Sequence, residues 1–156
     1  MALEKVERTV LVDADPGRAW EVLTDVGEFT GWVGIVHSVK EIEYLKSYTA
    51  VLEDKVGPFS LRADLSVSVE VAAEGRAIRV EASGRDRAVN SKIDIEGTLT
   101  LSGQPSGGTE LSVRGSYQVT GRVATMGAGI VRKKGDMAIE QFMTGARQAL
   151  SNPESR

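Results

Sequence analysis

Polar and apolar residues alternate through most of this chain, most cleanly between positions 59 and 73. Phe59, Leu61, Ala63, Leu65, Val67, Val69 and Val71 share one face, and Ser60, Arg62, Asp64, Ser66, Ser68 and Glu70 share the other. A period of two with one polar face marks a strand in an antiparallel sheet packed on one side. The same rhythm predicts strands at 3–12, 36–44, 48–56, 76–88, 91–102 and 109–120. Their inward positions include Ile78, Val80, Ala82 and Gly84, then Ile93, Ile95, Gly97, Leu99 and Leu101, then Leu111, Val113, Gly115, Tyr117 and Val119. Turn residues at Gly57-Pro58, Glu74-Gly75 and Pro105 to Gly108 join them into a meander of hairpins.

Helical signals interrupt the rhythm in three places. Asp15-Pro16 pairs a capping residue with the proline that suits the first helical position, predicting a short helix from Pro16 to Thr24 that buries Ala19, Trp20 and Leu23. Asp25, with Glu28 three residues on, predicts a second from Val26 to Thr30, bringing in Phe29 and Trp32. From Gly121 to Leu150 the apolar residues Val123, Met126, Ile130, Met137, Ala138, Phe142 and Ala149 recur at helical spacing, opposite Thr125, Arg132, Lys133, Asp136, Glu140 and Arg147. A long helix following a run of strands must bury its stripe on the sheet. The expected fold is α+β: a curved seven-stranded antiparallel sheet gripping a long C-terminal helix, with two short helices. It forms a single domain over residues 1–150, with a disordered tail at 151–156.

Small residues thin both faces of this expected interface. Ala63, Ala82, Gly84, Gly97 and Gly115 lie on the concave side of the sheet, and Gly127, Ala128, Gly129, Gly135, Gly145 and Ala146 lie in or near the helix stripe. Each helical glycine costs about 1 kcal/mol relative to alanine, so the set signals close backbone approach, deliberate space, or a bend. Space left between two thin faces suits an apolar ligand. The expected lining is Phe29, Trp32, Phe59, Leu61, Val80, Leu99, Tyr117, Met126, Ile130 and Met137, with Tyr117 supplying a polar contact and Phe29 and Trp32 forming a gate. The competing reading of each is ordinary core.

Composition narrows the chemistry. Without cysteine there are no disulfides, thiolate nucleophiles or cysteine-ligated metals. The one histidine, His37, stands near the start of the second strand, and Asp13/Asp15 and Glu53/Asp54 lack metal-ligand spacing. Gly127-Ala128-Gly129 begins like a dinucleotide fingerprint, but Arg132 stands where the third glycine is required. Arg62, Arg79, Arg85 and Arg87 interleave with Asp64, Glu81 and Asp86, a mixed-charge outer face. An enzyme of the cyclase/dehydratase kind would find only Tyr117, Asp86 and His37 as acid–base groups, so no catalytic residue and no metal is assigned.

The net charge of −3 argues against nucleic acid as a partner. It is unevenly spread: residues 1–120 hold 13 Lys/Arg against 19 Asp/Glu, and residues 121–150 hold five against two. Arg132, Lys133, Lys134 and Arg147 therefore form an expected docking surface for an anionic membrane or an acidic partner. No signal peptide and no membrane span is read, so the expected place is the cytoplasm, with peripheral contact at the inner face of the membrane.

Three stretches resemble one family. Pro16 to Asp25, with Trp20, looks like the first short helix of the carbon monoxide dehydrogenase CoxG family, within the START-like (SRPBCC) helix-grip superfamily. Lys55-Val56-Gly57-Pro58-Phe59 matches that family's Lys-Val-Gly-Pro turn, and the glycine-rich stretch Gly121 to Gly129, leading to Phe142, matches the opening of its last helix. The resemblance spans about residues 3–150. One departure is that the family's Pro-Gly pair after the second short helix is replaced by Trp32-Val33-Gly34-Ile35, so the gate there is expected to differ. The resemblance implies a non-catalytic accessory of a carbon monoxide dehydrogenase-type molybdenum hydroxylase. Such a protein recruits the enzyme to the membrane or links it to the quinone pool, with no intrinsic cofactor and a quinone or lipid held in the grip. Surface-driven assembly and a cyclase-like enzyme are the alternatives.

Overall fold

The computed structural model describes residues 3–151, except Arg87 and Val89 and the side chain of Met126. The elements are β1 (Glu4–Val12), α1 (Pro16–Leu23), α2 (Val26–Thr30), β2 (Val36–Glu43), β3 (Ser47–Val56), β4 (Phe59–Ala73), β5 (Ala77–Asp86), β6 (Ser91–Gly103), β7 (Thr109–Gly121) and α3 (Arg122–Ser151). The seven strands form one antiparallel sheet in the order β1-β7-β6-β5-β4-β3-β2. The meander thus runs from β2 to β7 and the first strand closes on the last, leaving β1 and β2 as edges. The tail expected from residue 151 begins one residue later at the earliest, since Ser151 is the last residue of α3; positions 152–156 lie outside the described residues.

Local chemistry starts each helix. The Asp15 carboxylate accepts from the Arg18 N–H at 2.9 Å, with Pro16 opening α1, and Asp25 accepts from Glu28 N–H at the start of α2. For α3 the cap comes from a neighbouring strand. Gly121 takes φ +95 to turn the chain, the Ser91 hydroxyl accepts from Val123 N–H at 3.0 Å, and the Asn90 carbonyl accepts from Arg122 N–H. At the far end the Ala14 N–H donates to the Leu150 carbonyl at 2.9 Å, while the buried Thr109 hydroxyl donates to the Ala14 carbonyl at 2.7 Å. Both ends of α3 are thereby fastened to the sheet and its connections.

The buried side of α3 differs from the predicted stripe. Val123, Ala124, Val131, Phe142, Met143, Ala146 and Leu150 are buried, whereas Ile130 and Met137 are 37% and 47% exposed. Positions 123, 130 and 137 are seven apart and share a side only in a straight helix. Gly127 takes non-helical angles (φ −140, ψ 28), and this kink re-aims the first turns relative to the rest. Val123 stays buried while Ile130 and Met137 turn outward.

Two of the small sheet residues also serve a purpose other than space. A Cβ on Gly84 would collide with the Asp64 carbonyl and the Leu65 side chain, and one on Gly115 with the Glu96 carbonyl and the Gly97 Cα. These glycines allow neighbouring backbones to close up where the sheet bends. Gly97 is different: the nearest atom to a Cβ there is the Arg114 carbonyl oxygen at 3.8 Å, in ordinary contact range.

The apolar interior falls into two clusters. One joins β1, α1, α2, parts of β3 to β7, and the C-terminal half of α3 through Phe142, Met143, Ala146 and Leu150. The other joins β3 to β7 with the kinked start of α3 through Val123, Ala124 and Val131. Residues from both clusters border the space between them.

Candidate functional site

A cavity of about 320 Å³ lies between the concave face of the sheet and α3. Sheet residues Val6, Leu52, Val56, Leu61, Val80, Ile93, Ile95, Gly97, Leu99, Val113, Gly115, Tyr117 and Val119 line it. The helical side comes from Phe29 of α2 and from Val123, Val131, Lys134, Gly135, Ala138, Ile139 and Phe142 of α3, and the loop after α2 adds Val33 and Ile35. That loop is latched to the helix, since the Gly34 N–H donates to Gln141 Oε1 at 2.8 Å.

Of the ten residues the sequence points to, Phe29, Leu61, Val80, Leu99 and Tyr117 meet at this wall. Trp32 does not. It sits outside the wall against Phe29 (ring centroids 6.5 Å apart) and Phe142 (5.5 Å), with its ring filling the space that a Gly145 side chain would need. Phe59 packs against the second cluster beside the β3–β4 turn, Ile130 covers that turn over Gly57, and Met137 lies on the outer face in a groove with Trp32. The side chain of Met126 is outside the described residues. Sequence periodicity did not point to the α3 residues Val131, Ala138 and Ile139 as lining, because they reach the cavity only after the kink. Nor did it point to the loop residues Val33 and Ile35, whose signal was the apolar run beginning at Trp32.

The polar groups at the wall are few. Glu96, Thr98 and Ser116 alternate with the inward positions, and the Glu96 carboxylate is occupied by Arg79 and the Ser116 hydroxyl. Tyr117 reaches across to α3 and lies over Gly135, where a Cβ would collide with its hydroxyl and ring. The missing side chain makes space for the phenol. Burial pushes the Tyr117 pKa above its ordinary value, with Glu4 and Asp136 adding to the rise and Arg132 opposing it. Lys134 stands on the same turn of α3 and pairs with Asp54 at 3.0 Å, each side chain about 30% exposed (31% and 30%). Asp54 lies on β3 between the buried Leu52 and Val56, and a carboxylate beside the cavity there was not anticipated.

The four basic residues expected to form a docking surface do not act as one patch. Arg132 is paired with Glu4 at 3.2 Å and Lys134 with Asp54, which straps α3 to both β1 and β3. Lys133 and Arg147 are exposed with no ion pair among the described residues. Of the acid–base candidates, His37 is exposed on the edge strand β2, and the buried Asp86 accepts from the N–H groups of Arg62 and Ala88, holding a strand end in place. No group of three or more metal-ligating side chains is found among the described residues.

Residues 9–151 match the carbon monoxide dehydrogenase family of CoxG proteins. The chain belongs to the CoxG family. No curated protein matches it in sequence. Solved structures share its fold at low identity. A conserved protein from Geobacillus kaustophilus superposes with a TM-score of 0.78 at 16% identity, covering 96% of this chain and 95% of that one. A START superfamily protein from Mycobacterium smegmatis gives 0.68 at 14% identity, with 94% and 97% covered. The Zhui aromatase/cyclase from Streptomyces sp. R1128 gives 0.60 at 14%, with 95% and 96% covered. The fold is therefore the START-like helix grip, and within the CoxG family this chain keeps the Lys55–Phe59 turn at the β3–β4 junction, with Gly57 at φ +59. Among the described residues no helix is long and apolar enough to cross a membrane.

Proposed function

We propose that this protein is a non-catalytic carrier. It holds an apolar molecule, a quinone or lipid-like compound, between the sheet and α3, and it serves a carbon monoxide dehydrogenase-type molybdenum hydroxylase at its membrane and quinone link. The observation that carries the reading is the cavity, about 320 Å³ between two separate apolar clusters. An apolar cavity of about 150 Å³ takes benzene, so this one accommodates a bicyclic ring or a ring with a short tail. Membership of the CoxG family supplies the accessory context. A cyclase would need an acid–base pair at its substrate, and the only titratable side chains at this wall besides the engaged Glu96 are Tyr117 and Lys134.

The test is native mass spectrometry with organic extraction of protein purified from its own host. A stoichiometric isoprenoid, quinone or lipid supports the carrier. Protein that is repeatedly empty, and that fails to bind added quinone, refutes it. Turnover of a polyketide substrate lost on Tyr117→Phe would favour the cyclase instead. Docking to the membrane or the hydroxylase is assigned to Lys133 and Arg147, the two of those four basic residues that make no ion pair. Reversing both charges should abolish association with anionic vesicles or with the hydroxylase at low salt, and association indifferent to reversal and ionic strength rules this surface out.

A further inference from the structure

The polar edge of the cavity is rich in donors and poor in acceptors. The Tyr117 hydroxyl has one hydrogen-bond partner, the Arg132 carbonyl at 3.5 Å, which is the outer limit for such a bond. The Lys134 ammonium carries three protons and gives one to Asp54 Oδ2. The acceptors nearby are already engaged: Asp54 Oδ1 takes the Lys55 N–H at 2.7 Å, Oδ2 takes Lys134, and the Glu96 oxygens take Arg79 and Ser116. Tyr117 lies over Gly135, next in sequence to Lys134, so both donors lie at one turn of α3. Phe29, Leu99 and Phe142, which also line the cavity, offer no polar side-chain atom.

From this asymmetry we infer that Tyr117 and Lys134 are specificity-determining residues. Among apolar molecules that fit, they select those bearing an acceptor oxygen such as a ring ketone, and they hold that oxygen at the Lys134 turn of α3. The inference rests on the carrier reading and names the ligand chemistry of the same cavity. A hydrocarbon of the same shape leaves both donors without a new partner. A ligand whose polar group is itself a donor finds no open side-chain acceptor.

Two probes with one carbon skeleton separate these cases: 2-methyl-1,4-naphthoquinone and 2-methylnaphthalene, each titrated by calorimetry into the full chain. The chain has no cysteine, so thiol addition to the quinone does not interfere. The wild type should bind the quinone tighter by about tenfold or more, as expected for at least one hydrogen bond from a charged donor. Tyr117→Phe removes only the hydroxyl. Lys134→Met is paired with Asp54→Asn, so that no half-buried carboxylate is stranded, and an unchanged melting transition verifies folding. In each variant the ratio of quinone to hydrocarbon affinity should fall several-fold, and in the combined variant to near one. Equal affinities in the wild type, or an undiminished ratio in the variants, would overturn the selection while hydrocarbon binding left the carrier standing. Binding of neither probe overturns both.

Discussion

Gly97→Val tests the cavity most directly, because the expected sign is the reverse of most glycine replacements in a sheet. Gly97 faces inward on β6, opposite Val80 on one side and Gly115 on the other, and a Cβ there meets nothing closer than 3.8 Å. Replacing a mid-strand glycine removes a penalty of about 0.5–1 kcal/mol. Three further carbons placed against Val80, Leu99 and Val113 contribute up to about 0.8 kcal/mol each on burial. Side-chain ordering and incomplete coverage reduce the total, leaving a net stabilisation of roughly 2 kcal/mol. For a domain of this size that raises the melting temperature by roughly 4–8 °C. The same side chain occupies ligand space, so affinity for 2-methyl-1,4-naphthoquinone should fall by about tenfold or more. Scanning calorimetry of ligand-free protein measures the first effect and titration calorimetry the second. A lowered melting temperature would show that the space beside Gly97 does not exist. A raised one with undiminished binding would place the ligand elsewhere.

Gly84→Ala, which looks equivalent in sequence, should instead destabilise by about 1–3 kcal/mol in urea unfolding, because its Cβ meets the Asp64 carbonyl and only a backbone shift can relieve it. Asp15→Ala should cost about 1 kcal/mol by the same measurement through loss of the α1 cap, with little effect on probe binding. Tyr48 and Tyr117 both have pKa values raised above the ordinary 10.0, chiefly by burial. Their folded pKa exceeds the unfolded one, so their contribution is complete below pH about 10 and is lost as pH rises through the folded value. The melting temperature should fall steeply above pH 10, and Tyr117→Phe should flatten part of that fall; an unchanged slope in the variant would refute the assignment. Gly135→Ala should drive Tyr117 out of its place on α3, despite alanine's better helix propensity, and lower the quinone-to-hydrocarbon affinity ratio; a ratio equal to wild type would show that Tyr117 acts from another position.

What the sequence determined was the architecture. Strand alternation depends on a period-two rule that each residue obeys locally, so all seven strands and the inward positions of β4 to β7 were legible in the pattern. The caps of α1 and α2 were legible for the same reason, since donor and acceptor lie three residues apart. The family resemblance rested on local turns and is matched across residues 9–151. Tertiary structure decided which glycines make space and which allow close approach. Gly84 and Gly97 look alike on their strands, and only the distance to the neighbouring backbone separates them. It also decided the phase of α3. The kink at Gly127 is a backbone event that helical periodicity cannot register, and it moved Ile130 and Met137 outside while bringing Val131 and Ile139 to the cavity. The pairing of Lys134 with Asp54 joins residues 80 positions apart, and the contact between Tyr117 and Gly135 joins α3 to β7. Neither follows from local pattern, because each exists only when helix and sheet close on one another.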